Sequence, residues 1–257
     1  MKKIKLTISG GLGKMGSILI KKCLFNKNFL INSITDIKSK KKIYNIDVTK
    51  NNFDSIKNAD VIIDFSTPSS TIKTLKIAKK LKKKVVIGTT GFTKKQNHLI
   101  KNYSRKIAIF KSGNMSLGIN FLEYIANILS KKIPNDYCIG IKDDHHKKKV
   151  DYPSGTALML ANAVCKGKNK NLESIKGKTF LNRKGNLQKN KINFFIKRKG
   201  NTIGKHSVIF NNKIENIELK HTAFSRELFA DGALSAAIWI SKKNRGLFNM
   251  QDMFGLK

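Results

Sequence analysis

The chain has 257 residues, of which 40% are hydrophobic, and a formal net charge of +36 at pH 7. That length allows one large domain or two modest ones around a real core. No apolar run approaches the roughly 20 residues of a membrane span, and MKKIKLTISGG enters a strand pattern without the apolar stretch of a secretory signal. A cytoplasmic protein with no membrane role is therefore expected. Of the 52 basic residues only five are arginine, the lysines are spread along the whole chain, and Asn and Ile are abundant with them. Lys, Asn and Ile share AT-rich codons, so codon bias explains the charge. No specific nucleic-acid partner is expected, only salt-sensitive attraction to polyanions.

In chain order, residues 4–9 read as a short buried strand. A glycine loop follows, then an amphipathic helix to about Asn26 with Met15, Ile18, Leu19 and Leu24 as candidate core positions. Residues 30–35 form a second strand ending at Asp36, and a lysine-rich loop leads to a strand at 61–65. Thr67-Pro68-Ser69 opens a helix with a hydroxyl cap and an early proline. A strand at 85–88, a helix at 93–103 and a strand at 107–111 continue the alternation, which predicts βαβ units and a parallel sheet. The pattern changes after Gly113. A helix is expected over 117–129, a strand over 137–142 and a helix over 154–165. Strand-like stretches at 191–197, 207–210 and 214–219 then follow without helices between them, which predicts an open mixed sheet with helices on one face. The polar residues 166–190 read as a loop, much of it mobile, and an apolar helix over 228–240 is expected to pack back on the first domain. Cys23, Cys138 and Cys165 are too scattered for a disulfide framework or a zinc site.

Gly10-Gly11-Leu12-Gly13-Lys14-Met15-Gly16 lies between a strand and a helix and satisfies G-x-G-x-x-G from Gly11. Such glycines permit a tight turn and close approach of the backbone to a pyrophosphate, and the helix N-terminus faces the phosphates. Asp36 ends the second strand, where an acid contacts the adenine ribose. Alone it favours NADH over NADPH; Lys38, Lys40, Lys41 and Lys42 in the same loop offset that preference, so either cofactor is open. The turns Gly88-Thr89-Thr90-Gly91 and Ser112-Gly113-Asn114-Met115 each follow a strand, on the edge where a nicotinamide binds.

The segment DDHHKKKVDYPSGTAL, residues 143–158, holds two adjacent histidines, three lysines and a helix entrance. His145 or His146 suits proton delivery near neutral pH. Lys149 suits a carboxylate. Ser154 is a candidate N-cap, and free N–H groups around Gly155 and Thr156 can grip an anion. Arg198, Gly204 and His206 are candidates to complete the pocket from a turn between two strands. No third ligand is spaced to join His145 and His146 on a metal, so none is expected.

Together these segments resemble dihydrodipicolinate reductase. The family's G-x-x-G-[RK]-M-G is met at Gly10 to Gly16 and its Gly-Thr-Thr-Gly-Phe at Gly88 to Phe92. Its Asn-x-Ser-x-Gly-x-Asn is met at Asn114 to Asn120, and its [ED]-x-H-H-x-x-K-x-D-x-P-S-G-T-A at Asp143 to Ala157. Arg198, Gly200, Gly204 and His206 meet R-x-G-x-x-x-G-x-H. The resemblance implies an α/β protein: a Rossmann-type dinucleotide-binding domain of residues 1–116 completed by 224–257, and an α+β mixed-sheet domain of residues 117–223 for substrate and tetramerisation. It implies NADPH- or NADH-dependent reduction of a small dicarboxylate by a homotetramer, with His145 as proton donor and Lys149 as its partner. His146, Gly155 and Thr156 would bind substrate carboxylates. Gly10 to Met15, Asp36, Gly88, Thr89, Thr90 and residues 112–115 would bind cofactor. The sequence departs at Asp36, where Glu is common, at Ile37, where Arg is common, and at Tyr152, where a small residue is common. The alternative is another Rossmann reductase or an amino-acid dehydrogenase acting on a small anion, which only the nucleotide loop supports.

Overall fold

The computed structural model describes residues 2–38, 42–50 and 52–256; Lys40 and Lys41 lie outside the described residues. In chain order the elements are β1 (Ile4–Ser9), α1 (Lys14–Leu24), β2 (Phe29–Thr35), β3 (Lys42–Ile43), β4 (Ile46–Thr49), α2 (Phe53–Lys57), β5 (Val61–Asp64) and α3 (Pro68–Lys80). Then come β6 (Lys84–Ile87), α4 (Lys94–Ser104), β7 (Ala108–Lys111), α5 (Leu117–Lys132), β8 (Cys138–His145), α6 (Gly155–Gly167) and α7 (Leu172–Ile175). The last are β9 (Lys176–Leu181), β10 (Ile192–Arg198), β11 (Gly204–Asn211), β12 (Asn216–Ala223), α8 (Glu227–Ser241), β13 (Gly246–Phe248) and α9 (Met250–Phe254). The chain divides into two compact units, one made of the residues through Ser116 and those from Arg226 on, the other of Leu117–Ser225.

The first unit holds a sheet in the order β13-β7-β6-β5-β1-β2-β4-β3, parallel throughout except for β3 against β4. β1 pairs with β2 on one side and β5 on the other, so the strand order reverses beside it. In open α/β sheets a ligand crevice opens at the carboxyl ends of the strands flanking such a point. Fully buried Leu6, Ile8, Val61, Ile63, Val86 and Phe110 are the apolar runs expected of strands covered on both faces. Helix α1 buries Gly16, Leu19, Ile20 and Cys23, an i, i+3, i+4, i+7 stripe. Leu24 falls off that stripe and is exposed, contrary to expectation, and Ile20 and Cys23 hold the core places instead. Helix α8 brings Ala230, Ala233, Ala236 and Ala237 into the same core, and its Gly232 lies so close to Met115 that a Cβ there would be 1.8 Å from the Met115 carbonyl oxygen.

The second unit is a mixed sheet in the order β12-β11-β8-β10-β9. β10 runs parallel to β8, and β11 antiparallel to its other side. Arg198 to His206 is therefore no hairpin: the chain leaves β10, crosses the end of β8 and returns on its far side. The region 166–190 is also not one loop. Asn171 caps α7 through its side chain, and β9 adds an edge strand along β10. Ile139, Ile141, Ile192, Phe194, Val208 and Phe210 line one face of the three central strands and pack with Leu160, Ala161 and Val164 of α6. Among the described residues no helix is long and apolar enough to cross a membrane.

Candidate active site

In the first unit the β1–α1 turn is built on steric necessity. Gly10 has φ +81°, and a Cβ there would stand 2.5 Å from the Phe65 carbonyl oxygen. A Cβ on Gly16 would lie 2.2 Å from the Gly10 oxygen and 2.6 Å from the Gly11 Cα, all backbone that cannot yield. The loop is tied to β2 by the Gly10 and Gly11 amides donating to the Thr35 carbonyl. Asp36 finishes the job: its carboxylate accepts from the Leu12 amide at 3.0 Å and from the Lys38 amide at 3.1 Å. A cleft of about 650 Å³ opens there, lined by Gly10, Leu12, Gly13 and Asp36, with Lys38, Lys50 and Lys73 also on its wall. Helix α1 begins at the cleft with no side-chain cap, which leaves its first amides for a ligand. The loop, with the cradle its glycines leave open, fits a dinucleotide pyrophosphate.

Asp64, fully buried at the end of β5, holds the neighbouring turns. Its Oδ1 accepts from the Ser66 amide and hydroxyl and from the hydroxyls of Thr71 and Thr89, at 2.6–3.1 Å. Burial pushes this carboxyl up despite those bonds. Thr89 thus spends its hydroxyl inward, whereas Thr90 is exposed. In the next turn the Ser112 hydroxyl donates to the Asn114 carbonyl, and Asn114 Oδ1 accepts from the Ser116 amide. The Met115 side chain is buried in the core, so only its backbone remains for a ligand; beside Gly113 the space is open.

In the second unit β8 runs three residues further than the 137–142 span expected from sequence, and this places the chemistry. Strand side chains alternate faces, so Asp143 and His145 continue the inward row begun by Ile139 and Ile141. The register sets Asp143 opposite Ile196 of β10 and His206 of β11, and His145 opposite Arg198. One end of an apolar sheet face is therefore polar. Asp143 is its hub and is 0% exposed. Its Oδ2 accepts from the Ser154 amide at 2.7 Å and from Arg198 at 3.0 Å. Its Oδ1 lies 2.8 Å from His145 Nδ1 and 3.4 Å from His206 Nε2. The two rings meet edge to face with centroids 5.0 Å apart. Burial would raise the Asp143 carboxyl, but His145, His206, the Ser154 amide and Arg198 together outweigh it and hold the group well below the usual carboxylate range. Burial wins at His206, which is pushed below the ordinary histidine value despite Asp143.

Ser154 caps α6 by accepting from the Ala157 amide at 3.2 Å. The Gly155 position faces open space, so an anion can reach the backbone of the first turn. His146 follows the last residue of β8, its amide held by the Thr202 carbonyl and its Nδ1 buried, and Lys149 pairs with Asp151 at 2.7 Å. Lys147 and Lys148 are exposed. Arg198 is committed to Asp143 and to the Asp151 carbonyl, which makes it a brace for the site more than a free anion ligand. Asp143, His145 and His206 also have the make-up of a metal triad, with donor atoms within 4.8 Å of one another. The 2.8 Å Asp143–His145 spacing is a hydrogen-bond distance; two ligands on a tetrahedral zinc at its usual bond lengths stand about 3.3 Å apart. Arg198 already neutralises the carboxylate, so the set reads as a proton-handling network.

The family model described as dihydrodipicolinate reductase, N-terminus, matches residues 4–115, and that for the C-terminus matches residues 118–254. The chain belongs to the dihydrodipicolinate reductase family. It is 50% identical over 258 residues to the 4-hydroxy-tetrahydrodipicolinate reductase of Pelagibacter ubique (strain HTCC1062), covering 100% of each. It is 44% identical to that of Buchnera aphidicola subsp. Cinara cedri (strain Cc), covering 98% of this chain and 97% of the relative. A dipicolinate-bound dihydrodipicolinate reductase from Paenisporosarcina sp. TG-14 shares the fold, with a TM-score of 0.79 at 21% identity over 98% of this chain and 99% of that one.

In this member of the reductase family the sequence-predicted residues fall into two clusters. Gly10 to Met15, Asp36, Gly88 to Thr90 and residues 112–115 belong to the first unit, and His145, His146, Lys149, Gly155 and Thr156 to the second. Sequence reasoning overlooked the roles of Asp143 and Asp64; the signal available for Asp143 was an acid two residues from a histidine on a strand, hence on the same face. For the family's glycine loop, Gly16→Ala is expected to cost about 1–3 kcal/mol through forced backbone shifts and to weaken nucleotide binding. Gly113→Ala, whose Cβ meets nothing of the protein within 4 Å, is expected to leave stability unchanged. Urea unfolding and nucleotide titration check both variants.

Proposed function

We propose that this chain catalyses the NADPH- or NADH-dependent reduction of 4-hydroxy-tetrahydrodipicolinate to tetrahydrodipicolinate, with loss of water, in diaminopimelate and lysine synthesis. The observation that carries the proposal is the match to both halves of the reductase family, in a chain whose buried His145 stands beside the capped start of α6. When bound, the reduced nicotinamide supplies the hydride. Gly10 to Met15 hold the pyrophosphate, Asp36 the adenine ribose, and Gly88 to Thr90 with residues 112–115 the nicotinamide end. Asp36 disfavours a 2′-phosphate, whereas Lys38, Lys50 and Lys73 on the same cleft favour one, so both nucleotides are accepted. The α6 amides at Gly155 and Thr156, with His146, hold the substrate carboxylates, and His145 delivers the proton. Lys149 leaves Asp151 to meet the incoming dianion.

Dipicolinate, a planar dicarboxylate, tests the substrate half in calorimetric titrations with nucleotide present. One-to-one binding is expected, weakened roughly tenfold or more by Lys149→Gln, as for the loss of one charge-assisted contact. Absence of binding, or an unchanged affinity in the variant, contradicts the assignment of Lys149. The homotetramer implied by the resemblance is part of the same proposal, supported by a groove on the mixed sheet lined by Phe195, Ile209 and Ile214, the last 90% exposed. Light scattering on the purified protein tests it.

A further inference from the structure

We propose that Asp143 is a positioning residue that fixes the tautomer of His145, holding Nδ1 as the protonated nitrogen and leaving Nε2 as the atom that gives its proton to substrate. The proposal rests on the reductase reading for the proton's destination, but not for the tautomer itself. The carboxylate cannot swing away. Its Oδ2 is pinned by the Ser154 amide at 2.7 Å, at the start of α6, and by Arg198 at 3.0 Å, on the neighbouring strand β10. This leaves Oδ1 aimed at the two rings, 2.8 Å from His145 Nδ1 and 3.4 Å from His206 Nε2.

An ionised carboxylate offers only lone pairs. A buried ring nitrogen at 2.8 Å must therefore present a hydrogen, since two lone pairs at that distance repel. Neither Oδ1 nor Nδ1 completes a well-directed hydrogen bond with any described residue, so rotation of the ring toward Oδ1 completes the pair. Such bonds commonly tighten only when substrate arrives. The opposite edge of the ring is kept clear by Gly204, where a Cβ would lie 3.2 Å from Nε2.

The proton balance is simple. The His145 imidazolium breaks its Nε2–H bond, the substrate gains that proton, and a neutral Nδ1–H imidazole remains against Asp143. His206 shares Oδ1 and also faces the Ser154 hydroxyl at 3.3 Å. Its burial favours the neutral ring, which leaves His145 as the ring that hands on the proton.

The test is a nitrogen-15 spectrum of the imidazoles in the unaltered protein, with His145 assigned by the signals missing from His145→Gln. Expected, once the pH is raised until the ring is neutral, is a His145 with a pyrrole-type Nδ1 and a pyridine-type Nε2. The reverse tautomer overturns the proposal, whatever reaction the protein proves to catalyse. Asp143→Asn then supplies the kinetic arm. It is expected to lower kcat by roughly 10²-fold or more, as when an aspartate–histidine pair loses its tautomer control, while nucleotide affinity stays unchanged. A folded Asp143→Asn enzyme with normal kcat also overturns it, and if the variant does not fold, the spectrum decides.

Discussion

His145→Gln is expected to lower kcat by roughly 10²–10⁴-fold, a barrier increase of about 2.7–5.5 kcal/mol, with little change in KM for either nucleotide. Glutamine fills much of the same volume and keeps a polar end, but it cannot hold and release a proton near neutral pH. Under the proposed role the loss belongs in kcat, because a proton donor acts only while the proton moves. His145 is a small part of the buried face, 8% exposed, so the variant is expected to fold. Steady-state kinetics with saturating nucleotide separates the cases: an unchanged kcat removes His145 as the donor, and a raised KM alone makes it a binding residue.

Arg198→Ala is expected to destabilise the protein by about 3–5 kcal/mol, the usual effect of removing one partner of a buried ion pair. The Arg198 and Asp143 side chains are 6% and 0% exposed, so solvent screens little of the interaction. Arg198 also donates to the Asp143 and Asp151 carbonyls, which would be left without it. The pH dependence follows from the depressed Asp143 carboxyl. In the native protein its stabilising contribution is fully present above the ordinary Asp value of about 3.9 and is lost as pH falls through its lower folded value. Without Arg198 the carboxyl protonates more easily, so the variant's deficit is largest near neutrality and shrinks in acid. Urea unfolding of both proteins across that range measures it. A deficit below about 1 kcal/mol, the value typical of a surface pair, contradicts the buried hub.

Much of this was legible in the sequence because it is local. The glycine turn, the Thr67-Pro68 and Ser154 caps and the apolar runs of β1, β5, β6 and β7 depend on neighbours within a few residues. Several of the misreadings have nonlocal causes. Asp143-Asp144-His145 does not look like a strand, because its β pairing is imposed by β10 and β11 on either side. Asp143 and Arg198 meet across 55 residues, a contact no spacing rule anticipates. Strand β9 lies at a sheet edge, where a polar sequence such as Lys176–Leu181 is tolerated and hides the strand. Helix α7 is only four residues long, too short for periodicity; its sign was the cap at Asn171. Leu24 was misassigned by one position in a stripe that properly ends on Cys23.

The most direct measurement is nucleotide oxidation by the purified protein on addition of freshly prepared 4-hydroxy-tetrahydrodipicolinate, set beside a panel of oxo and amino acids. Loss of the reduced-nicotinamide absorbance with this substrate, with NADPH, NADH or both, and formation of tetrahydrodipicolinate is the predicted result. No oxidation with either nucleotide, or faster oxidation with another small anion, would contradict the account.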